Sequence, residues 1–78
     1  MIMQFSMLPY GQTRSGGYRL KDLQALCAKL GYTLRRPSHI AYVDVPLDAG
    51  KIKEFEQELR NLFARMEFYK RPAEPNQS

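Results

Sequence analysis

The sequence predicts an α+β fold in which two helices cover one face of a small antiparallel sheet. Two segments are amphipathic with the period of a helix, and short segments rich in β-branched and aromatic residues lie before, between and after them. Their order along the chain is strand, helix, strand, strand, helix, strand. A helix with a single apolar stripe must bury it, and one face of a sheet has room for two such helices.

The first predicted strand is the N-terminal segment, residues 1–8. Its larger apolar side chains fall on one face of an extended chain; they are Met3, Phe5 and Met7. Pro9 ends the strand, because proline has no N–H to give to a sheet ladder. Residues 10–17 contain three glycines and no acidic residue, which predicts a loop.

The first predicted helix begins at Arg19. Its apolar residues recur at spacings of three and four and form one stripe; they are Leu20, Leu23, Leu26, Cys27 and Leu30. Gly31 stands where a C-terminal cap belongs. Because Cys27 lies on or beside this stripe, we expect it to be a small buried side chain and not a reactive nucleophile.

Two short strands are predicted next, at residues 32–34 and 39–45. Both segments are rich in β-branched and aromatic residues. Residues 35–38 read Arg-Arg-Pro-Ser and suit the turn of a hairpin between the two strands. Pro46 closes the second of them.

The second helix is predicted to follow Asp48, whose carboxylate can cap its first turn. Four residues of its apolar stripe are predicted to be core: Phe55, Leu59, Phe63 and Met66. Ile52 and Leu62 complete the stripe. Residues 66–70 predict a short last strand. Residues 71–78 offer little apolar surface to bury, so we expect a disordered C-terminal tail after a single domain spanning residues 1–70.

This order of elements is that of the ferredoxin-like fold, a split βαβ arrangement written βαββαβ. Both helices then cover one face of the sheet, and the other face is left without a covering layer. Some of the apolar residues Ile2, Leu8, Tyr32, Ile40 and Tyr42 are expected to point to that second face. Exposed apolar area of this kind in a small domain predicts a homodimer.

The length and composition exclude several classes of protein. A chain of 78 residues has no room for a large enzyme cleft. With one Cys and one His it has neither an internal disulfide nor the ligands of an ordinary zinc site, so we predict no metal and no cofactor. No apolar run approaches the roughly 18 residues that span a bilayer, and the first residues lack the features of a signal peptide. We therefore expect a cytoplasmic protein with no membrane partner.

Positive charge is concentrated in the first half of the chain. Residues 1–38 hold six basic residues and one acidic residue, a net of +5, whereas residues 39–78 hold six basic and seven acidic residues, a net of −1. Such an imbalance predicts a polyanionic partner, and nucleic acid is the obvious one. The candidate phosphate contacts are Arg14, Arg19, Lys21, Arg35, Arg36, Lys70 and Arg71.

The glycine-rich loop before the first helix does not form a nucleotide-triphosphate site. Residues 11–16 have its glycine spacing, but Gly17 and Tyr18 stand where a Lys and a Ser or Thr are required. Backbone N–H groups at the helix N-terminus, with Arg14 and Arg19, are still able to hold a phosphate. A solvated loop is the alternative.

Four segments resemble the small CRISPR-adaptation endoribonuclease family and the related virulence-associated protein D family. They are Tyr18–Gly31, Arg35–Val43, Lys51–Phe63 and Met66–Tyr69. The resemblance implies a ferredoxin-like fold, a dimer and contact with nucleic acid. Members that cleave nucleic acid are expected to place a metal-binding Asp at the end of the first strand. Here the chain reads Leu-Pro-Tyr at residues 8–10 and has no carboxylate before Asp22, so the resemblance implies binding or assembly without that catalysis.

His39 is a weak candidate for a catalytic residue. Its segment Pro-Ser-His also resembles the Gly-Ser-His segment of the HicA messenger-RNA interferases, with Pro37 in place of the glycine. A histidine can take part in acid–base cleavage of RNA, but the sequence favours a structural or merely exposed histidine here.

The leading hypothesis is a non-catalytic protein that binds nucleic acid, or assembles a nucleoprotein complex, through its basic first half. The alternative is a small protein-interaction module, such as an inhibitor or accessory factor of a mobile element, which binds a protein partner through the open sheet face or an edge strand. Tyrosines are compatible with either, because they stack on bases and also fill interfaces. The five are Tyr10, Tyr18, Tyr32, Tyr42 and Tyr69.

Overall fold

The computed structural model describes residues 1–9, 17–63 and 67–73. Its elements are β1 (Ile2–Met7), α1 (Leu20–Leu30), β2 (Thr33–Arg35), β3 (Ala41–Pro46), α2 (Ala49–Leu62) and β4 (Phe68–Ala73). The strands form one antiparallel sheet in the order β2-β3-β1-β4. The predicted α+β class and the ferredoxin-like order of elements are confirmed.

The core lies between the two helices and one face of the sheet. In β1 the side chains of Phe5 and Met7 are buried and Met3 packs against them, as the alternation of the strand predicts. β3 adds its own alternate residues, Ala41, Val43 and Val45, all of them fully buried. The Phe5 ring meets the Phe55 ring of α2 edge to face at a centroid distance of 4.9 Å.

The end of α1 is closed by a backbone cap at Gly31. This glycine has φ 77°, in the left-handed region, and its N–H donates to the Cys27 carbonyl oxygen at 2.8 Å. The N–H of Tyr32 donates to the same oxygen at 3.0 Å, which completes a Schellman-type cap. Because Tyr32 belongs to this cap, β2 begins at Thr33 and not at residue 32 as predicted.

The ring of Tyr32 lies on the helix side of the sheet. It packs against the core, with its centroid 5.7 Å from that of Phe55. The suggestion that Tyr32 is one of the apolar residues on the second face is therefore wrong.

α2 begins as predicted, with the Asp48 carboxylate accepting a hydrogen bond from the Lys51 N–H at 3.0 Å. The predicted core residues Phe55, Leu59 and Phe63 are buried. Leu62 is not, because it sits beside the buried stripe at the end of the helix and is 37% exposed. The remaining predicted core residue, Met66, lies outside the described residues.

β4 runs along the whole length of β1, with its first residue opposite Met7 and its last opposite Ile2. The strand therefore extends to Ala73, and the prediction that residues 71–73 belong to the tail is wrong. Backbone pairing with β1 holds these residues, and such pairing leaves no apolar pattern in the sequence. The rest of the predicted tail, residues 74–78, lies outside the described residues.

β3 begins two residues later than predicted, at Ala41. The carbonyl of His39 accepts a hydrogen bond from the Tyr18 hydroxyl, which holds the β2–β3 connection against the start of α1 instead of in the ladder.

Within the residues that the structure describes, neither helix is long and apolar enough to cross a membrane.

Candidate nucleic-acid interface

The sheet face opposite the helices, here called the open face, presents the second alternating set of side chains of each strand. These residues are Ile2, Gln4, Ser6, Thr33, Arg35, Tyr42, Asp44, Pro46, Tyr69, Arg71 and Ala73. The register brings them into rows. Ser6 lies opposite Tyr42 on one side and opposite Tyr69 on the other, and Gln4 lies in the same way between Asp44 and Arg71.

Three arginines converge at one end of the open face. A groove of about 670 Å³, here called the arginine groove, is lined by Gln4, Arg35, Arg36, Pro37, Tyr42 and Arg71. Arg35 ends β2, Arg36 follows it in the connection, and Arg71 comes from β4 on the other edge of the sheet. Among the described residues that line this groove, none is acidic.

Arg35 is oriented by the carboxylate of Asp44. Its Nη2 donates to Oδ1 of Asp44 at 2.7 Å, diagonally across the β2–β3 pair. The Arg35 side chain is 44% exposed, so this ion pair adds little stability. A guanidinium group has five N–H donors, and a single bond to Asp44 leaves others for a ligand in the groove.

Arg36 is oriented by the buried Tyr18. Its Nε donates to the Tyr18 hydroxyl oxygen at 2.9 Å, and that hydroxyl donates to the His39 carbonyl at 2.7 Å. Tyr18 is 2% exposed and enters the core just before α1. No local pattern in the sequence indicates this network, because the bonded residues lie 18 and 21 positions apart.

Two tyrosines flank the other end of the open face. A concavity of about 220 Å³, here called the tyrosine cleft, is lined by Ser6, Leu8, Ile40, Tyr42, Glu67 and Tyr69. Its lining is mostly apolar, and Tyr69 is 69% exposed. A third depression joins the cleft to the arginine groove, since Tyr42 and Arg71 line it together with Tyr69.

The other predicted phosphate contacts lie elsewhere. Arg19 pairs with Asp22 at 3.1 Å at the start of α1, and Lys21 is exposed on that helix. Lys70 pairs with Glu56 of α2, on the helix side of the sheet, because adjacent residues of a strand point to opposite faces. Arg14 lies outside the described residues. The structure thus brings together Arg35, Arg36 and Arg71. The basic residues of α1 do not lie on the same surface as these three arginines.

The two residues with possible chemistry differ in their surroundings. Cys27 is 3% exposed, so the prediction of a small buried side chain is confirmed. Burial raises the pKa of its thiol to about 11, which disfavours the reactive thiolate. His39 is exposed in the β2–β3 connection, and its backbone carbonyl accepts the hydrogen bond from the Tyr18 hydroxyl. A catalytic role for its side chain stays a prediction.

In the part of the chain that the structure describes, no three His, Cys, Asp or Glu residues cluster as metal ligands would.

Several residues of the open face were not predicted as site residues. Gln4 and Ser6 join it only through the register of β1 with its two neighbours. Glu67 precedes β4 and lines the tyrosine cleft. Comparison with protein families, with curated proteins and with solved structures gave no match.

Proposed function

We propose that this protein binds single-stranded nucleic acid on its open face and does not catalyse a reaction there. The observation that supports this most directly is the continuity of the arginine groove with the tyrosine cleft, since Tyr42 lines both. Cationic groups beside exposed aromatic rings are the combination that single-stranded nucleic acid requires.

The arginines supply the phosphate contacts. Guanidinium groups bind phosphate oxygens through two parallel N–H bonds, and Arg35 and Arg36 are already oriented by Asp44 and Tyr18. Pre-orientation lowers the entropy lost on binding, because less side-chain freedom remains to be frozen. Arg71 faces these two across the sheet, so a strand that crosses the groove meets positive charge on both sides.

The tyrosines supply stacking surfaces. Base stacking on an aromatic side chain contributes about 1–3 kcal/mol per base and depends little on the identity of the base. Tyr69 is well exposed at an edge of the sheet, and Tyr42 is half-buried nearer its centre. In a duplex the bases are paired and stacked on each other, so these rings favour a single strand.

A protein partner on the same face is the second candidate, favoured by the apolar lining of the tyrosine cleft. A homodimer formed through this face is one form of it. Apolar association survives high salt, whereas phosphate contacts weaken steeply as salt increases. The two candidates therefore differ in a measurable way.

The test is a fluorescence-anisotropy titration of labelled single-stranded and duplex oligonucleotides at several salt concentrations. We expect saturable binding that favours the single strand. Arg71→Ala should weaken it and reduce the salt slope by about 0.7, the value for one phosphate contact of a single strand. Tyr69→Leu should weaken binding by about 5- to 100-fold with little change in that slope.

Lys53→Ala is the matched control, because Lys53 is an exposed cation of α2 on the opposite side of the molecule. Its affinity and salt slope should equal those of the wild type. Absence of saturable binding at low salt, or an equal loss in Lys53→Ala and Arg71→Ala, would overturn the proposal.

A further inference from the structure

The tyrosine cleft lies between two aromatic side chains. Its floor is Ser6 and Leu8 from the β1 side, and Tyr42 and Tyr69 stand on the strands to either side. Neighbouring strands are about 4.8 Å apart, so the backbones at the two tyrosines are separated by about 9.5 Å. Aromatic rings in contact have centroids roughly 4.5–7 Å apart. One planar ring placed between the two tyrosines can therefore contact both.

Two polar side chains line the cleft, and they differ in the hydrogen bonds that they can make. Glu67 stands at its rim, two residues before Tyr69, and the Ser6 hydroxyl lies in its floor. A carboxylate accepts hydrogen bonds and donates none, whereas a hydroxyl does both. The ligand edge that reaches Glu67 must therefore supply an N–H or O–H donor.

The two ends of the open face differ in charge, and so they suit different parts of a nucleotide, the phosphate and the base. The arginine groove has three cations and suits phosphate. The tyrosine cleft has a carboxylate, which repels phosphate, and mostly apolar walls, which suit a base. The joining depression between them lets one strand occupy both ends.

We propose that the tyrosine cleft is a base pocket that selects a base with an exocyclic amino group, through a hydrogen bond from that group to Glu67. This rests on the proposed binding of a single strand. Cytosine, adenine and guanine carry such a group. Uracil and thymine present a carbonyl oxygen at the position of the cytosine amino group. Their remaining donor on this edge, the N3–H, lies between two carbonyl oxygens, which repel a carboxylate.

Homo-oligonucleotides of deoxycytidine and deoxyuridine test this most cleanly. The two bases have the same size and similar stacking surfaces, but cytosine has an amino group where uracil has an oxygen. We expect the wild-type protein to bind the deoxycytidine strand about tenfold more tightly, as one hydrogen bond to a charged group implies.

Glu67→Gln should reduce this preference to less than about threefold, because an amide both donates and accepts and so serves either base. The matched control is Glu54→Gln, which removes the same charge from an exposed position of α2 and should keep the tenfold preference. Equal affinity of the wild type for the two strands, tighter binding of deoxyuridine, or an unchanged preference in Glu67→Gln would overturn the base pocket. Each of these results is obtained from a protein that binds at least one strand. If the protein binds neither strand, the proposed function itself has failed.

Discussion

Tyr18 connects the core to the open face through one hydroxyl group. Its ring is buried, yet its oxygen accepts from Arg36 Nε and donates to the His39 carbonyl. A side chain that is fixed by packing can orient an exposed partner, since the partner loses freedom without being buried itself. We therefore assign Tyr18 a positioning role for Arg36 and no contact with the ligand.

Tyr18→Phe tests this role, because it keeps the ring and removes the hydroxyl. We expect the free energy of unfolding to fall by about 0.5–1.5 kcal/mol, as for one lost hydrogen bond, when measured by urea denaturation. Affinity for a single-stranded oligonucleotide should fall about 2- to 10-fold, since Arg36 must then be ordered on binding.

The control for Tyr18→Phe is the same change in an Arg36→Ala background. There the hydroxyl has no arginine to orient, so we expect no additional loss of affinity, although the loss of stability from the His39 bond remains. Independent, additive losses of affinity in the double variant would show that Tyr18 does not act through Arg36.

At the scale of elements, β1 and α1 are tied together at the two ends of their connection. Pro9 and Tyr18 form a parallel bridge, and the Tyr18 N–H donates to the Leu8 carbonyl at 3.2 Å. Gly17 makes this approach possible, because a Cβ atom at that position would overlap the backbone carbonyl group of Pro9.

Gly17→Ala should break this bridge. We expect a loss of about 1–3 kcal/mol in the free energy of unfolding, the range for overpacking at a site that cannot expand, measured by urea denaturation. Gly50→Ala is the control, since a Cβ there meets only the flexible Asp48 carboxylate, at 3.3 Å, and alanine favours the helix. Its stability should stay within about 1 kcal/mol of the wild type. A Gly17→Ala protein as stable as the wild type would show that the β1–α1 connection can shift to admit a Cβ atom without a loss in the free energy of unfolding.

The helices were predictable and the strand ends were not, for a physical reason. A helix is visible as a local periodic pattern, such as the stripe of Leu23, Leu26 and Leu30, and Gly31 marks its end. Tyr32 looks like a strand residue, but its N–H is held by the cap of α1. The grouping of Arg35 with Arg71 depends on the strand order, which no local pattern contains.

At the scale of the whole molecule, both edges of the sheet are poor sites for adding another strand. β2 has only three residues, and β4 contains Pro72, which has no N–H to give. The homodimer stays a prediction. If it forms, these edges favour contact through the open face, where the dimer and the nucleic acid would compete for Tyr69 and Arg71.

β4 makes the fold and the candidate site depend on the same three C-terminal strand residues. Arg71, Pro72 and Ala73 pair with Gln4, Met3 and Ile2, which is half of the β1–β4 register. A chain shortened to end at Lys70 loses these pairs, and a chain ending at Ala73 keeps them. We expect the chain ending at Ala73 to unfold at the same urea concentration as the full chain. The chain ending at Lys70 should lose roughly 2–3 kcal/mol, at about 1 kcal/mol for each lost ladder hydrogen bond.

Arg71→Ala in the full chain separates the two effects of this truncation. It removes the guanidinium from the arginine groove but leaves the backbone pairs of β4 in place. Oligonucleotide affinity should therefore fall while the urea midpoint stays within the error of the wild-type value. Equal midpoints for the chain ending at Lys70 and the full chain would show that residues 71–73 do not stabilise the sheet. In that case the domain would end where the apolar pattern of the sequence ends, at residue 70.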